Sequence, residues 1–136
     1  MEIKKARTFA RITGVLYLII IVCAGFSQGA VREMMIVGGD AAATARNILE
    51  NTFLFNLGLT TDLIAFLCDA AVSILLYLLL KPVSKGLAIT AAGFRLIAHP
   101  AIGSLNLLNH FAALRVLESD GFGASFDPAQ LQEFAL

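Results

Sequence analysis

Three long apolar stretches constrain this chain more than any other feature of its sequence. They cover residues 12–30, 53–80 and 86–114. Because an α-helix rises 1.5 Å per residue, about 20 residues cross the roughly 30 Å hydrocarbon layer of a membrane. Each stretch is long enough to do so. The sequence therefore predicts an all-α fold, a helical transmembrane bundle of about three membrane-spanning helices.

The composition favours a membrane protein over a soluble domain. Of the 136 residues, 58% are hydrophobic and only 15% are charged, whereas soluble domains carry about 25% charged residues. The formal net charge is zero, which argues against a basic surface for nucleic acid. We therefore expect the lipid bilayer, and no nucleic acid, as a partner of this chain.

The first apolar stretch, with its basic flank, also has the pattern of a secretory signal peptide. Cleavage requires small residues at positions −3 and −1. Cleavage after Ala30 would place Gln28 at −3, and cleavage after Phe26 would place an aromatic ring at −1. We therefore interpret the stretch as a retained helix. Its predicted close-packing face comprises Gly14, Tyr17, Gly25 and Gln28.

Two connections of different kinds join the three stretches. Before the second stretch, Gly38 and Gly39 interrupt the chain, and Asp40 is a suitable N-cap for a short helix over 41–50. The apolar positions of this helix are weak, so we predict that it lies at the membrane surface. Before the third stretch, the turn KPVSKG predicts an antiparallel helical hairpin.

The last segment, 115–136, follows the third stretch. It contains a Gly- and Ser-rich loop and then Asp127-Pro128, a pattern typical of a helix start. We interpret it as the start of a further helix whose remainder lies outside this chain. Residues 1–136 are otherwise predicted to form a single membrane domain.

The distribution of basic residues predicts the orientation of the bundle. If the helices alternate in direction, the N-terminus and the hairpin turn share one side, with six basic residues: Lys4, Lys5, Arg7, Arg11, Lys81 and Lys85. The opposite side holds three: Arg32, Arg46 and Arg115. Since basic residues concentrate in cytoplasmic loops, we predict a cytoplasmic N-terminus.

Several polar side chains interrupt the second and third stretches. A charged residue at the centre of a membrane helix costs about 2.5–3.5 kcal/mol on insertion scales, so such groups face the bundle interior and find partners. Asp62 and Asp69 are seven residues apart, so they share a helix face with Gly58, Ala65 and Ser73. The candidate buried polar core comprises Asp62, Asp69, Arg95, His99, Asn106 and Asn109.

Depth along the hairpin pairs two of these candidates. Counted from the middle of the turn, Asp69 lies 14 residues back and Arg95 lies 12 residues forward, so their depths differ by about 3 Å. We predict an Asp69–Arg95 ion pair. Asp62 is level with residues 104–106 and would form a second polar layer, or it is the N-cap of a span that begins at Leu63.

Pro100 lies within the third stretch, next to His99. It lacks an amide donor and crowds the carbonyl of Leu96, so the sequence predicts a kink. Such a kink frees a carbonyl, as in many binding sites, or it is a packing bend.

No catalytic motif is visible in the sequence. A phosphate-binding glycine loop, an HExxH metal motif and a GxSxG elbow are all lacking. Cys23 and Cys68 lie within apolar runs, where they are expected to fill space as buried thiols. We therefore predict no catalytic, cofactor-binding or metal residues and no cofactor, which favours a protein that is not an enzyme without deciding the question.

Five segments of the chain are similar to a known family. In order, they are ARITGVLYLIIIVCAGF, GDAAATARNI, LTTDLIAFLCDAAVSILLYLLLKPVSKGLA, FRLI and LNLLNHFAAL. They resemble domain of unknown function family 4386 (DUF4386), bacterial multi-pass membrane proteins with no assigned activity. The resemblance implies the bacterial inner (plasma) membrane and carries over no functional residues. Family members continue with further hydrophobic spans, so the chain is expected to correspond to an N-terminal half.

Two hypotheses for the function remain open at this stage. The chain is a transporter-like or ion-handling module with a buried Asp/Arg core, or a structural or interaction subunit whose buried charges only fix helix packing. Water access to Asp69 separates the two. Because the polar stripe of the third helix would otherwise face lipid, we expect self-association or completion by a C-terminal half.

Overall fold

Three long helices and one short helix make up residues 3–118, the part of the chain that the computed structural model describes. The first long helix consists of α1 (Ile3–Gly25), a π-helical segment π1 (Phe26–Arg32) and α2 (Glu33–Met35). The short helix is α3 (Ala41–Glu50), and the second long helix is α4 (Thr52–Leu80). The third long helix consists of α5 (Lys85–Leu96), a π-helical segment π2 (Ile97–Ala101) and α6 (Ile102–Glu118). Residues 3–118 contain no strand.

All three long helices are apolar and long enough to cross a membrane. The candidate spans are Lys4–Met35, Thr52–Leu80 and Lys85–Ala112. Large apolar side chains such as Leu18, Leu67 and Leu105 cover their outer surfaces. Such surfaces suit lipid and not water. The predicted all-α transmembrane bundle is therefore confirmed.

The first and third long helices extend further than the sequence predicted. The first ends at Met35 instead of residue 30, and the third continues to Glu118 instead of residue 114. Neither extension contains glycine or proline, so nothing in the backbone stops the helix there. As a result Arg32, predicted in a connecting loop, is helical. The segment 119–136, with its predicted helix start, lies outside the described residues.

Both connections contain the residues needed to start the next helix. The Asp40 side chain accepts a hydrogen bond of 2.9 Å from the backbone N–H of Ala43, which confirms the predicted N-cap. In the hairpin turn, the Ser84 hydroxyl accepts one from the N–H of Leu87 at 3.3 Å. Although the apolar positions of α3 looked weak, its Ile48 is buried against the bundle.

The second long helix, α4, is the centre of the bundle. Both other long helices and α3 pack against it, whereas the first and third have little contact with each other over residues 3–118. The predicted shared face of α4 is buried along its whole length: Gly58, Asp62, Ala65, Asp69 and Ser73. The apolar core lies at the α3 end of the bundle and comprises Val31, Met35, Ile48, Phe55 and Leu114.

The first helix packs with a different face from the predicted one. Gly14, Gly25 and Gln28 are exposed, whereas Ser27 and Val31 are buried. The expectation that glycines of this helix allow close packing is therefore wrong. The close approach depends instead on a glycine of α4, because a Cβ added at Gly58 would lie 3.0 Å from a Val31 methyl group.

This contact generates a stability prediction. Gly58→Leu should lower the thermal unfolding midpoint of the detergent-solubilised protein, because overpacking a tight contact costs about 1–3 kcal/mol. Gly29→Leu is the matched control, since a Cβ at Gly29 meets nothing within 4 Å. Equal midpoints for the two variants would contradict the close approach of α4 to the first helix.

Candidate functional site

Two carboxylates lie on the buried face of α4. Asp62 is 3% exposed and Asp69 is 2% exposed. Because α4 begins at Thr52, Asp62 lies well inside the helix, and the interpretation of Asp62 as an N-cap is wrong. A carboxylate in this position requires partners that offset its desolvation.

The first group of partners lies nearer the hairpin turn, and we call it the proximal cluster: Asp69, Arg95, His99 and Tyr17. Arg95 Nη2 donates a hydrogen bond to Asp69 Oδ1, so the predicted ion pair is present. His99 Nδ1 lies 3.5 Å from the other carboxylate oxygen, Oδ2. A single carboxylate thus faces two cationic or potentially cationic groups of the third helix.

Tyr17 adds the first helix to the proximal cluster. The guanidinium carbon of Arg95 lies 4.5 Å from the centre of the Tyr17 ring. A guanidinium over an aromatic face is attracted by the negative potential of the ring. Arg95 Nε is buried and has no hydrogen-bond partner among the described residues. The sequence placed Tyr17 on a packing face and offered no signal for its contact with Arg95.

The second group lies further from the hairpin turn, and we call it the distal cluster: Asp62, Arg32 and His110. Arg32 Nη2 donates a hydrogen bond of 2.7 Å to Asp62 Oδ2. His110 lines the same cavity as this pair. Sequence reasoning missed the pairing of Asp62 with Arg32 and the place of His110 in the same cavity. Arg32 could have been predicted as a partner only by extending the first helix beyond its apolar stretch and through this charged residue.

The register of the third helix differs by one residue from the predicted one. The exposed residues beyond π2 include three that were predicted to be buried: Ile102, Asn106 and Asn109. The residues that face inward are Gly103, Leu107, His110 and Leu114. The cause is π2, because a π turn contains an extra residue and rotates everything that follows. Pro100 lies within π2, at the site of the predicted kink. Asn106 and Asn109 therefore lie outside the buried core of the described chain.

His99 is exposed and yet contacts a buried group. Its side chain is 66% exposed, yet its ring reaches the buried Asp69. Its place within π2 directs it along the edge of the helix interface. It is thus the member of the proximal cluster that is open to the surroundings of the bundle.

Each cluster has the same parts: an aspartate of α4, an arginine, a histidine and a neighbouring π-helical segment. The ion pair leaves each cluster without net charge when the histidine is neutral, and the histidine can take up one proton. Over residues 3–118, no group of three His, Cys, Asp or Glu side chains could hold a metal ion. Cys23 and Cys68 are free and half-buried.

Comparison with known proteins gives one match. A family model with the description "Domain of unknown function (DUF4386)" matches residues 12–136, nearly the whole chain. No curated protein and no solved structure matches the chain.

The proximal ion pair can be tested by a double-mutant cycle. Asp69→Asn or Arg95→Gln alone should lower the free energy of unfolding by about 3–5 kcal/mol, because each leaves one charge buried without its partner. The double variant removes both charges and should be more stable than either single variant. Thermal unfolding in detergent measures the stability of the wild type, the two single variants and the double variant.

The matched control is the cycle between Asp62→Asn and Arg95→Gln, which belong to different clusters. Their effects should add, since the two side chains share no partner. Additive losses in the Asp69–Arg95 cycle as well would mean that the two side chains do not interact.

Proposed function

The chain belongs to the DUF4386 family of unknown function, and we propose that it is a transporter-like, ion-handling membrane module whose ion is the proton. The proximal cluster is its proton-binding site. One observation carries this proposal: Asp69, buried in the middle of a membrane helix, contacts Arg95 and His99 with its two different oxygens. Ionisable groups inside a membrane helix mark ion pathways and proton relays.

In the proposed mechanism, Arg95 and a protonated His99 compete for the Asp69 carboxylate. With neutral His99, the Asp69 carboxylate is balanced by Arg95 alone. When His99 takes up a proton, its ring becomes a second cation at the same carboxylate. Two cations cannot both be balanced by one anion, so the Asp69–Arg95 contact weakens. Proton binding would thus loosen α5 from α4.

The backbone next to His99 supports such a movement. Residues 97–101 are π-helical, and Pro100 lacks an amide donor. A π-helical segment is held by fewer regular hydrogen bonds and frequently occurs at functional sites. The third helix can therefore pivot at the residue that binds the proton. Arg95 transmits the change to the first helix through Tyr17.

A structural or interaction subunit is the second candidate function. The favouring observation is that the two aspartates pair with arginines of different helices, Asp62 with the first helix and Asp69 with the third. Two such pairs suffice to fix the arrangement of three helices. In this case His99 is only a polar neighbour of Asp69, and no proton crosses the membrane.

Self-association is part of the same proposal. Asn106 and Asn109 are exposed, three residues apart on one face of α6. An amide carries both donors and acceptors, so the same face of a second copy is complementary to it. Hydrogen bonds of this kind join helices within membranes. A second copy is therefore the proposed partner of this face.

We further propose an inner-membrane location with the N-terminus in the cytoplasm. The pairing of Arg32 with Asp62 supports this orientation. It leaves Arg46 and Arg115 as the exposed basic residues at the α3 end of the described chain, against six at the opposite end. The bias toward the N-terminal side is therefore stronger than the sequence count indicated.

Proton flux into proteoliposomes tests the proposed function. Under a membrane potential, the purified wild-type chain should acidify an internal pH-sensitive dye faster than protein-free vesicles do. Asp69→Asn and His99→Gln should reduce this rate to that of empty vesicles, because each removes a group that holds the proton. Lys5→Gln, at the exposed start of the first helix, is the control and should retain the wild-type rate.

A wild-type rate equal to that of empty vesicles would overturn the ion-handling function and favour the structural subunit. A wild-type flux that survives in both cluster variants would overturn the assignment of the proximal cluster.

Cysteine labelling of intact cells tests the orientation. With Cys23 and Cys68 replaced by alanine, a cysteine at the exposed Ala42 should react with a membrane-impermeant maleimide from outside. One at the exposed Val83, in the hairpin turn, should react only after the cells are opened. The opposite pattern would reverse the proposed orientation.

A further inference from the structure

A cavity lies beside the distal cluster, where π1, α2, α3, α4 and α6 meet. Its volume is about 80 Å³. At about 30 Å³ per water molecule, it has room for about two or three waters. Most of its wall is apolar, but the polar side chains of Ser27, Arg32, Asp62 and His110 converge on it.

Two of these polar side chains can bind water in the cavity. Ser27 is 1% exposed and lines the cavity. Asp62 binds Arg32 through Oδ2, so Oδ1 is not used by this ion pair. Polar side chains that converge on a cavity hold water by hydrogen bonds, so water is favoured over an empty cavity.

Another hydroxyl in the same wall shows the contrast. Thr44 is also buried, but its hydroxyl accepts a hydrogen bond from the N–H of Val37 at 2.9 Å and donates to a backbone carbonyl of Asp40. Its hydrogen-bonding capacity is used within the protein. The polar groups that can bond to water in the cavity therefore lie on the side of Ser27 and Asp62, next to His110.

We infer that this cavity is a second, hydrated proton-binding site, in which water held by Ser27 links His110 to Oδ1 of Asp62. A proton from the aqueous phase binds a ring nitrogen of His110, and the ring then donates to water that donates to Asp62. An N–H bond forms on the ring as an O–H bond of a hydronium ion breaks. The proton role of this site rests on the proposed function, whereas its hydration does not.

The charges around the cavity disfavour a metal cation and an anion. The charged or titratable groups that line it are Arg32 of the first helix, Asp62 of α4 and His110 of α6. The α3 residues in its wall, Thr44 and Ile48, are uncharged. Arg32 already occupies the carboxylate that a metal cation would need, and the same carboxylate repels an anion. A neutral water cluster meets neither obstacle, and a proton taken up by His110 is attracted by Asp62 and repelled by Arg32.

The position of the cavity relates it to the proximal cluster. Asp62 and Asp69 are seven residues apart on the buried face of α4, about 10 Å along the helix axis. The two clusters therefore lie one after the other across the membrane.

Radiolytic oxidation tests the hydration of the cavity. Met35 lines the cavity and is 2% exposed, so radicals reach it only from water inside. Its neighbour Met34 is 69% exposed and reports the general radical dose. In nanodiscs, Met35 of the wild-type chain should be oxidised well above background. Ser27→Val, which removes the hydroxyl and fills the space, should lower this rate several-fold.

Two further variants keep the test decisive. Ser27→Ala removes the hydroxyl without adding bulk and should also lower the rate, even if the valine variant fails to fold. Ser104→Val, at an exposed position of α6, should leave it unchanged. A background rate at Met35 in the wild type would show a dry cavity and overturn the inference. Equal rates in the wild type and both Ser27 variants would also overturn it.

The proton role is tested in the proteoliposome assay. His110→Gln should reduce proton flux several-fold while Met35 oxidation is retained, because glutamine preserves polarity but binds no proton. Unchanged flux in this variant would overturn the second site and leave the proposed function intact. Absence of flux in the wild type would overturn the proposed function and the proton role together, whereas the oxidation experiment still decides hydration.

Discussion

The burial of two carboxylates on one face of α4 is the constraint on which this bundle depends. A lone charge in a membrane interior is expensive, so each aspartate needs a cation within reach. Asp62 finds Arg32 in the first helix, and Asp69 finds Arg95 in the third. The central helix is thereby tied to both neighbours at two depths. The three helices are held together by polar contacts inside, and their apolar surfaces face outward.

Glycine makes these contacts geometrically possible. At Gly58 the first helix approaches α4 closely enough for Val31 to touch its backbone, which brings Arg32 beside Asp62. At Gly103 the ring of Phe66 occupies the space that a Cβ would need. Small residues at helix crossings have this effect throughout membrane proteins. Close backbone approach and charge pairing are therefore two aspects of the same packing.

The two π-helical segments decide which polar side chains line the distal cavity beside Asp62. Without the extra residue of π2, Asn109 would face the interior and His110 would face outward. With it, His110 lines the distal cavity and Asn109 is exposed. Likewise, π1 carries Ser27 and Arg32 at the opposite wall of the cavity. A local change in backbone winding thus selects titratable side chains for the interior, and the proposed proton-handling function follows from it.

The sequence by itself determined the helical fold, the polar face of α4, the cap at Asp40 and the pairing of Asp69 with Arg95. These features depend on local periodicity and on counting residues along a hairpin, which the sequence contains. Only the tertiary structure decided the pairing of Asp62 with Arg32, the contact of Tyr17 with Arg95 and the register beyond π2. Hydropathy assigned Arg32 to a loop because an unpaired charge is unfavourable in a membrane helix. Its partner lies 30 residues away, and a charge balanced at that distance in sequence is recognised only once the helices are packed.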